Sequence, residues 1–479
     1  MSQRPTRRPG DRVIRRRFNP SQIIDLLEST DRPAIPNVRQ HSKLFVLALA
    51  GGILLASVLL ASPWASRSGD ATPFVDALFT AVSAACVTGL VTVDTRDHWN
   101  PLGQAIILLL IQLGGLGFMV GASIVLRALQ RGSIGLRESM LLRDGAPTLS
   151  LREAASLSGR IVRFTFAVEA TGALLLFLRF SGDEPLHLAL WNAVFLSVSA
   201  FCNAGFDLQG SYVSLIPYQS SLIVNLTIMA LIQAGALSFV FFADLAGGFR
   251  WRRLAVETKL IAIVHSVLLL TGAGVFLGAE WRNSLADVPL IDRPLIAMFQ
   301  SVAARTAGFA SVNLGDVTNI TLFSWVAIMF VGGASGSTAG GVKLTTVGVV
   351  ALTVVATLRG QAEPQVFGRR LPIPLVFRAM TVIALMFAAH FVATLSLTAA
   401  EHLSGNDVPF IAIQFETMSA LATVGLSTGI TPDLSEVGKF ILCVTMFFGR
   451  IGPLTAAYAL QIRQRTVRYR FPEELVRIG

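Results

Sequence analysis

Ala84-Ala85-Cys86-Val87-Thr88-Gly89-Leu90 is the first of four related stretches, and the reading of the whole chain turns on them. The others are Ala200-Phe201-Cys202-Asn203-Ala204-Gly205-Phe206, Ala303-Ala304-Arg305-Thr306-Ala307-Gly308-Phe309 and Ala420-Leu421-Ala422-Thr423-Val424-Gly425-Leu426. Aligned on their glycines, each has an alanine five places earlier (Ala84, Ala200, Ala303, Ala420). Each also has a large apolar residue ten places earlier (Phe79, Phe195, Met298, Phe415) and Leu or Phe directly after the glycine. Each unit reads as a short apolar helix delivering a glycine-centred turn. A backbone that aims its carbonyls at an ion needs dihedrals and a closeness of approach that a residue without Cβ supplies. Four such turns in one apolar chain predict a single ring of carbonyls around an axis, which is how a cation filter is built. The short helices would point their partially negative C-terminal ends at the same centre. One membrane glycine alone is better explained by close helix packing; four in register favour the ring.

Composition supports this setting. The 479 residues are 53% hydrophobic and 14% charged, and the mean hydropathy is +0.63, which excludes a soluble domain and points to a polytopic membrane protein. The net charge of +10, carried mostly by arginine, falls between apolar spans, so it reads as membrane topology rather than nucleic-acid binding. The three cysteines, Cys86, Cys202 and Cys443, have no metal or disulfide spacing. Cys86 and Cys202 share one position in two repeats and are expected to be small pore-lining residues. The six histidines and three cysteines form no catalytic or zinc pattern, so no enzyme activity is expected.

In chain order, residues 1–42 form a basic arm (Arg4, Arg7, Arg8, Arg12, Arg15–Arg17) punctuated by Pro20, Pro33 and Pro36. No cleavable apolar leader follows promptly, so the arm does not read as a signal peptide. Repeat 1 covers 43–127, with a span from Leu44, a short helix 74–86 and a second span 102–127. An arginine-rich linker covers 128–160. Repeat 2 covers 161–247, with spans 161–180 and 221–245 around the short helix 187–202. Repeat 3 covers 256–358, with the short helix 294–305. A linker follows at 359–374, and repeat 4 covers 375–461 with the short helix 408–421. A basic tail covers 462–479. The turns recur about every 110 residues, far beyond solenoid periods, so each unit is a module in its own right. Every loop between units carries arginine, so those loops and both termini are expected in the cytoplasm. Asp94, Asp97, Asp183, Glu184, Glu280, Asp287, Asp292, Glu401 and Asp407 flank the turns and predict an acidic outer vestibule that concentrates cations. The expected fold class is an all-α polytopic membrane protein: four pseudo-repeats of helix, pore helix, filter turn and helix around a central ion pore.

Two further stretches carry chemistry. Gly332-Gly333-Ala334-Ser335-Gly336-Ser337-Thr338-Ala339-Gly340-Gly341-Val342-Lys343 interrupts the apolar run 321–358. As one helix that run would be roughly 57 Å long, against a hydrocarbon core of about 30 Å, so helix, irregular loop, helix is expected. Irregular backbone at membrane depth survives only inside protein or along a water-filled cavity, which predicts a gate in the ion path below the filter. The loop is not a nucleotide site: Val342 separates Gly341 from Lys343, and no Gly-Lys-Ser/Thr is present. The second stretch, Phe447-Phe448-Gly449-Arg450-Ile451-Gly452-Pro453-Leu454-Thr455, sets an arginine in an apolar span, where Pro453 should add a kink. Glycines recur at similar depth beyond each turn (Gly114, Gly235, Gly332, Gly449), which puts Arg450 level with the start of the loop. Arg450 is expected to face the pore, touch the loop and repel cations until the loop moves; the alternative is an arginine bonded to free carbonyls. Glu169, Arg305 and Glu416 are expected to pair structurally, and His265 and His390 to be packed core histidines.

These motifs together resemble the Ktr/Trk/HKT superfamily of potassium transporters from about residue 40 onward, and within it the Ktr membrane subunit. One span precedes the first turn, and the ending Arg470-Phe-Pro-Glu-Glu-Leu-Val-Arg-Ile-Gly479 is Ktr-like. The resemblance implies potassium bound at Val87, Thr88, Gly89, Asn203, Ala204, Gly205, Thr306, Ala307, Gly308, Thr423, Val424 and Gly425. The gate would be formed by Gly332, Gly333, Ser335, Gly336, Ser337, Thr338, Gly340, Gly341, Lys343 and Arg450. Gly89 stands where sodium-preferring plant members often have serine, which implies potassium; a sodium or weakly selective cation pathway is the alternative. The resemblance further implies a homodimer with one pore per subunit, in contact with membrane lipid in the inner (plasma) membrane. It implies a cytosolic nucleotide-binding regulatory ring of the Ktr or Trk type, through which alone ATP and ADP would act. It implies sodium as a stimulating ion, no cofactor in this chain and no nucleic-acid partner. Channel and symporter mechanisms both stay open.

Overall fold

The structure, a computed structural model, describes residues 38–131, 151–248, 250–361 and 363–452. The basic arm up to residue 37, the linker 132–150 and the tail from 453, with Pro453, lie outside the described residues.

The described chain is almost wholly helical: α1 (Val38–Ala61), α2 (Phe74–Cys86), α3 (Pro101–Arg131), α4 (Leu151–Phe180), α5 (Leu186–Cys202), α6 (Leu222–Ala236), α7 (Phe239–Ala246), α8 (Val256–Glu280), α9 (Arg293–Ala303), α10 (Asn319–Met329), α11 (Leu344–Leu358), α12 (Ile373–Leu403), α13 (Phe410–Leu421) and α14 (Glu436–Ile451). A two-stranded hairpin, β1 (Gln365–Val366) with β2 (Arg369–Arg370), lies between α11 and α12. The short helices α2, α5, α9 and α13 fall within a few residues of the expected pore helices. Each begins at a proline, at the N-cap in Pro73, Pro185 and Pro409 and in the first turn in Pro294, where a missing N–H costs nothing.

Ser158–Phe180, Val256–Glu280 and Ile373–Leu403 are long and apolar enough to cross a membrane, and only 28%, 28% and 22% of their most apolar windows is buried. Their outward faces display Leu174 and Leu178, Val267 and Leu270, Phe387 and Phe391. Such a surface is stable only against hydrocarbon.

Packing follows a cycle. The helix after each turn leans on the short helix of the next unit: α3 on α5, α6 on α9, α10 on α13, and finally α14 back on α2. An ion pair of 2.9 Å between Lys439 and Asp76 fastens that last junction. The helix before each short helix packs on its outer side, as α1 does on α2, α4 on α5, α8 on α9 and α12 on α13. Each short helix seats a phenylalanine of its middle turns in the core: Phe79, Phe195, Phe299 and Phe415 are all fully buried. In the third unit this is Phe299, not the expected Met298, which is only partly buried. The helix there is offset by one residue relative to the other three.

The apolar run 221–245 is not one straight span. It breaks at Leu237–Ser238, and the two halves meet at 97°. The cause lies elsewhere in the chain. The carbonyls of Gly235 and Ala236 accept from the N–H groups of Thr338 and Ala334 at 3.2 and 2.9 Å, so they are taken up by the glycine-rich loop.

Candidate ion path: four glycine turns and the loop beneath them

Each turn repeats one backbone figure. Two residues before the glycine, the chain enters the left-handed region (Val87 φ 57°, Asn203 φ 60°, Thr306 φ 66°, Thr423 φ 49°). Gly89, Gly205, Gly308 and Gly425 then have φ of 96°, 72°, 78° and 92°. Val87 and Asn203 sit at the left-handed C-caps of α2 and α5, where non-glycine residues are uncommon. The twelve turn residues are buried, and the alanines and the Leu or Phe that bracket them are sealed into the core.

The glycines meet one another. A Cβ on Gly89 would strike the Ala204 carbonyl oxygen and stand 3.0 Å from the Gly205 Cα. On Gly205 it would meet Gly308 Cα at 2.9 Å, and on Gly308 the Val424 oxygen at 2.7 Å. On Gly425 it would overlap the Thr88 carbonyl oxygen and reach Gly89 Cα at 3.0 Å. The order 89, 205, 308, 425 and back to 89 is a closed ring. The hydroxyls of Thr88, Thr306 and Thr423 are buried there without a hydrogen-bond partner among the described residues, so they remain open to a bound cation.

Sequence reasoning missed what holds the turns. Ser83 and Ser419, six places before the glycine, accept from the Gly89 and Gly425 N–H groups at 3.0 and 3.1 Å. Ser199 has the same place in the second unit, though its buried hydroxyl has no hydrogen-bond partner among the described residues, and aligning one position further upstream would have exposed all three. Val302 stands there in the third unit, and the turn instead closes through the Ala307 N–H on the Ala303 carbonyl at 3.1 Å. The mid-span glycines also have a role in packing. A Cβ on Gly114, Gly235 or Gly449 would fall on the carbonyl oxygen of Ala85, Phe201 or Leu421, the same position of the short helix in three units. Gly332 differs and packs on Gly340. Gly449→Ala is therefore expected to lower stability by about 1–3 kcal/mol through overpacking, read as a lower thermal midpoint in detergent.

The glycine-rich loop lies under the ring and touches the second, third and fourth units, and Arg450 links it to the first. Its ends are pinned by a parallel bridge between Val331 and Val342. On the second unit it donates to Gly235 and Ala236, and Thr338 Oγ1 donates to the Phe201 carbonyl at 3.3 Å. On the fourth, a Cβ at Gly340 would collide with Thr423 Oγ1 and the Ala422 oxygen. From the third, Arg305 donates through Nη2 to the Gly332 carbonyl at 3.1 Å. Arg450 donates through Nη1 to the Thr338 carbonyl at 2.5 Å and through Nη2 to the Gly114 carbonyl of the first unit at 2.9 Å. Lys343 Nζ donates to the Ala339 carbonyl within the loop. Arg450 thus touches the loop as expected, and does so by binding free carbonyls.

Other charged residues depart from expectation. Glu169, Arg305 and Glu416, expected to pair structurally, form no ion pair among the described residues and are held by hydrogen bonds instead. Glu169 accepts from Gln112 Nε2 at 3.2 Å and faces the Cys202 thiol. Cys202 therefore lines the back of its turn, against α3 and α4, rather than the space between turns. Arg305 Nη1 bonds His265 Nδ1, so His265 is the arginine's acceptor and more than core filler. Glu416 accepts from Ser427, Thr428 and Thr431. Glu280 and Glu401 each clamp the N-cap of the helix that closes their unit, through Thr318 and Ser435. Asp94 and Asp97 hold the backbone N–H groups of Tyr212 and Ser211 across the first two units.

The fold is that of a polytopic, mostly helical membrane protein. A family model described as TrkH, a cation transport protein, matches residues 53–271 and 248–466. Ktr system potassium uptake protein B of Bacillus subtilis is 35% identical over 424 residues, 87% of this chain and 92% of that protein. Potassium/sodium uptake protein NtpJ of Enterococcus hirae is 34% identical over 471 residues, 97% of this chain and 98% of that protein. The crystal structure of the potassium transporter TrkH from Vibrio parahaemolyticus superposes with a TM-score of 0.70 at 20% identity, over 90% of this chain and 86% of that one. The chain belongs to the TrkH family of cation transport proteins, and within the Ktr/Trk superfamily it is of the Ktr membrane-subunit type.

Proposed function

We propose that this chain takes up potassium through a selectivity filter made by its four glycine turns, arranged as pseudo-repeats around one pore. The observation that carries this is the closed ring in which each filter glycine abuts the next, with carbonyl oxygens at every junction. Stacked carbonyls replace the hydration shell of potassium. The loop 332–343 is the gate, held shut by Arg450 and Arg305, and it opens when its contacts to the surrounding units are exchanged. The arginine-rich linkers face the cytoplasm and receive a regulatory partner, a reading supported by the relatives named for a Ktr system. A homodimer and two cytoplasmic termini complete the arrangement. The name of the Enterococcus hirae relative favours sodium as a second transported or stimulating ion.

The test is potassium against sodium flux into liposomes carrying the full chain. Potassium influx well above sodium supports the reading. Equal fluxes would replace it by a weakly selective cation path.

A further inference from the structure

The feature left unused by ion passage lies where α8 and α12 begin. Lys259, in the first turns of α8, is only 7% exposed, and no carboxylate forms an ion pair with it among the described residues. Its ammonium lies 5.9 Å from the Trp251 ring centre and 5.3 Å from that of Phe367. The two rings come from segments more than a hundred residues apart and meet edge-on at 6.1 Å. Trp251 precedes α8, and Phe367, with φ of 50°, forms the tip of the β1–β2 hairpin before α12. Both rings stay nearly half exposed, at 47% and 43%. Arg252, Arg253 and Arg369 are exposed around them, while Arg370 is engaged by Glu363 at 3.2 Å. Asp244, which accepts from the Ala255 N–H, and Glu257 are the nearby carboxylates on α7 and α8.

The position narrows the ligand. Both helices turn bare apolar faces outward from this point, so the cluster stands where hydrocarbon gives way to headgroups. Aromatic rings with an apolar body and polar edge settle at that level. A cation shielded by two rings is attracted to their faces, yet a largely buried ammonium still calls for an anion. Arginine forks suit phosphate oxygens bidentately, and lysine serves phosphate as a point charge.

We propose that Lys259, roofed by Trp251 and Phe367 and flanked by Arg252, Arg253 and Arg369, binds the phosphodiester headgroup of an anionic phospholipid. The phosphate sits against the ammonium, the arginines hold its remaining oxygens, and the rings lie over the glycerol backbone.

The test is lipid retention by the full chain in detergent, measured by native mass spectrometry with phosphatidylglycerol or phosphatidylcholine added. Wild type should prefer phosphatidylglycerol about ten-fold, the factor carried by one charge-assisted hydrogen bond. Lys259→Gln should lose that preference and Lys259→Arg should keep it. Should Lys259→Gln not fold, Trp251→Ala, at an exposed ring, should still weaken the preference. Equal affinity for the two lipids in wild type, or an undiminished preference in Lys259→Gln, overturns the proposal. Soluble glycerol phosphate that competes as well as the lipid would make this a free-phosphate site and also overturn it. So would a Lys259→Gln protein that keeps its lipid preference but loses affinity for a soluble protein partner.

Discussion

Gly425→Ala is expected to abolish most potassium preference, lowering the potassium-to-sodium flux ratio roughly ten-fold or more. Two costs combine. Gly425 has φ of 92°, and a side chain there strains the backbone whatever the space. Its Cβ would also overlap the Thr88 carbonyl oxygen, in the stretch read as the ion's own ligands. That oxygen must rotate or retreat, and the ring then presents unequal distances to the ion. Gly89→Ser should act similarly, since its Cβ meets the Ala204 oxygen. Paired potassium and sodium flux in liposomes reads the outcome. A selective flux that ignores both changes would make the turns packing elements and move the ion path elsewhere.

Arg450→Gln is expected to raise potassium influx and to loosen its dependence on any regulatory partner. The guanidinium ties the Thr338 carbonyl of the loop to the Gly114 carbonyl of the first unit. Each bond to a charged donor contributes about 1.5–3 kcal/mol, so losing two shifts a closed-to-open ratio by roughly a hundred-fold or more. It also removes a positive charge from the region below the filter. An unchanged flux would sink the gating role and leave Arg450 as a carbonyl-satisfying strut.

Why these two sites were legible and others were not has a physical basis. The turns were visible because each needs a positive φ and a close approach, and both demands fall on glycine at a fixed offset from the helix that delivers it. The loop was visible because its glycine run cannot hold the long helix that hydropathy alone would draw. Hydropathy is blind to the bend at Ser238, since a straight span and a broken one have equal apolar content. That bend depends on N–H donors about a hundred residues away in the loop. The His265–Arg305–Gly332 chain joins three segments with no local signature. The slip of the third unit escaped notice because Met298 and Phe299 are both large and apolar, and only packing chooses between them. The acids flanking the turns read in the sequence as one vestibule, yet Glu280, Glu401 and Asp94 each serve a helix start or a neighbouring loop.

The junction of α14 with α2 bears on how the molecule is made. The first short helix leaves the ribosome early, yet the surface that covers it, including the Lys439 partner of Asp76, is among the last segments synthesised. Loop-closure entropy over nearly the whole chain must be met before that contact forms. Until then Asp76 lacks its ammonium, and the first short helix is bare along the flank that α14 covers, although all four turns precede that helix in the chain. A chain stopped before Glu436 should insert, remain open along that flank, and be recognised by quality control as unfinished.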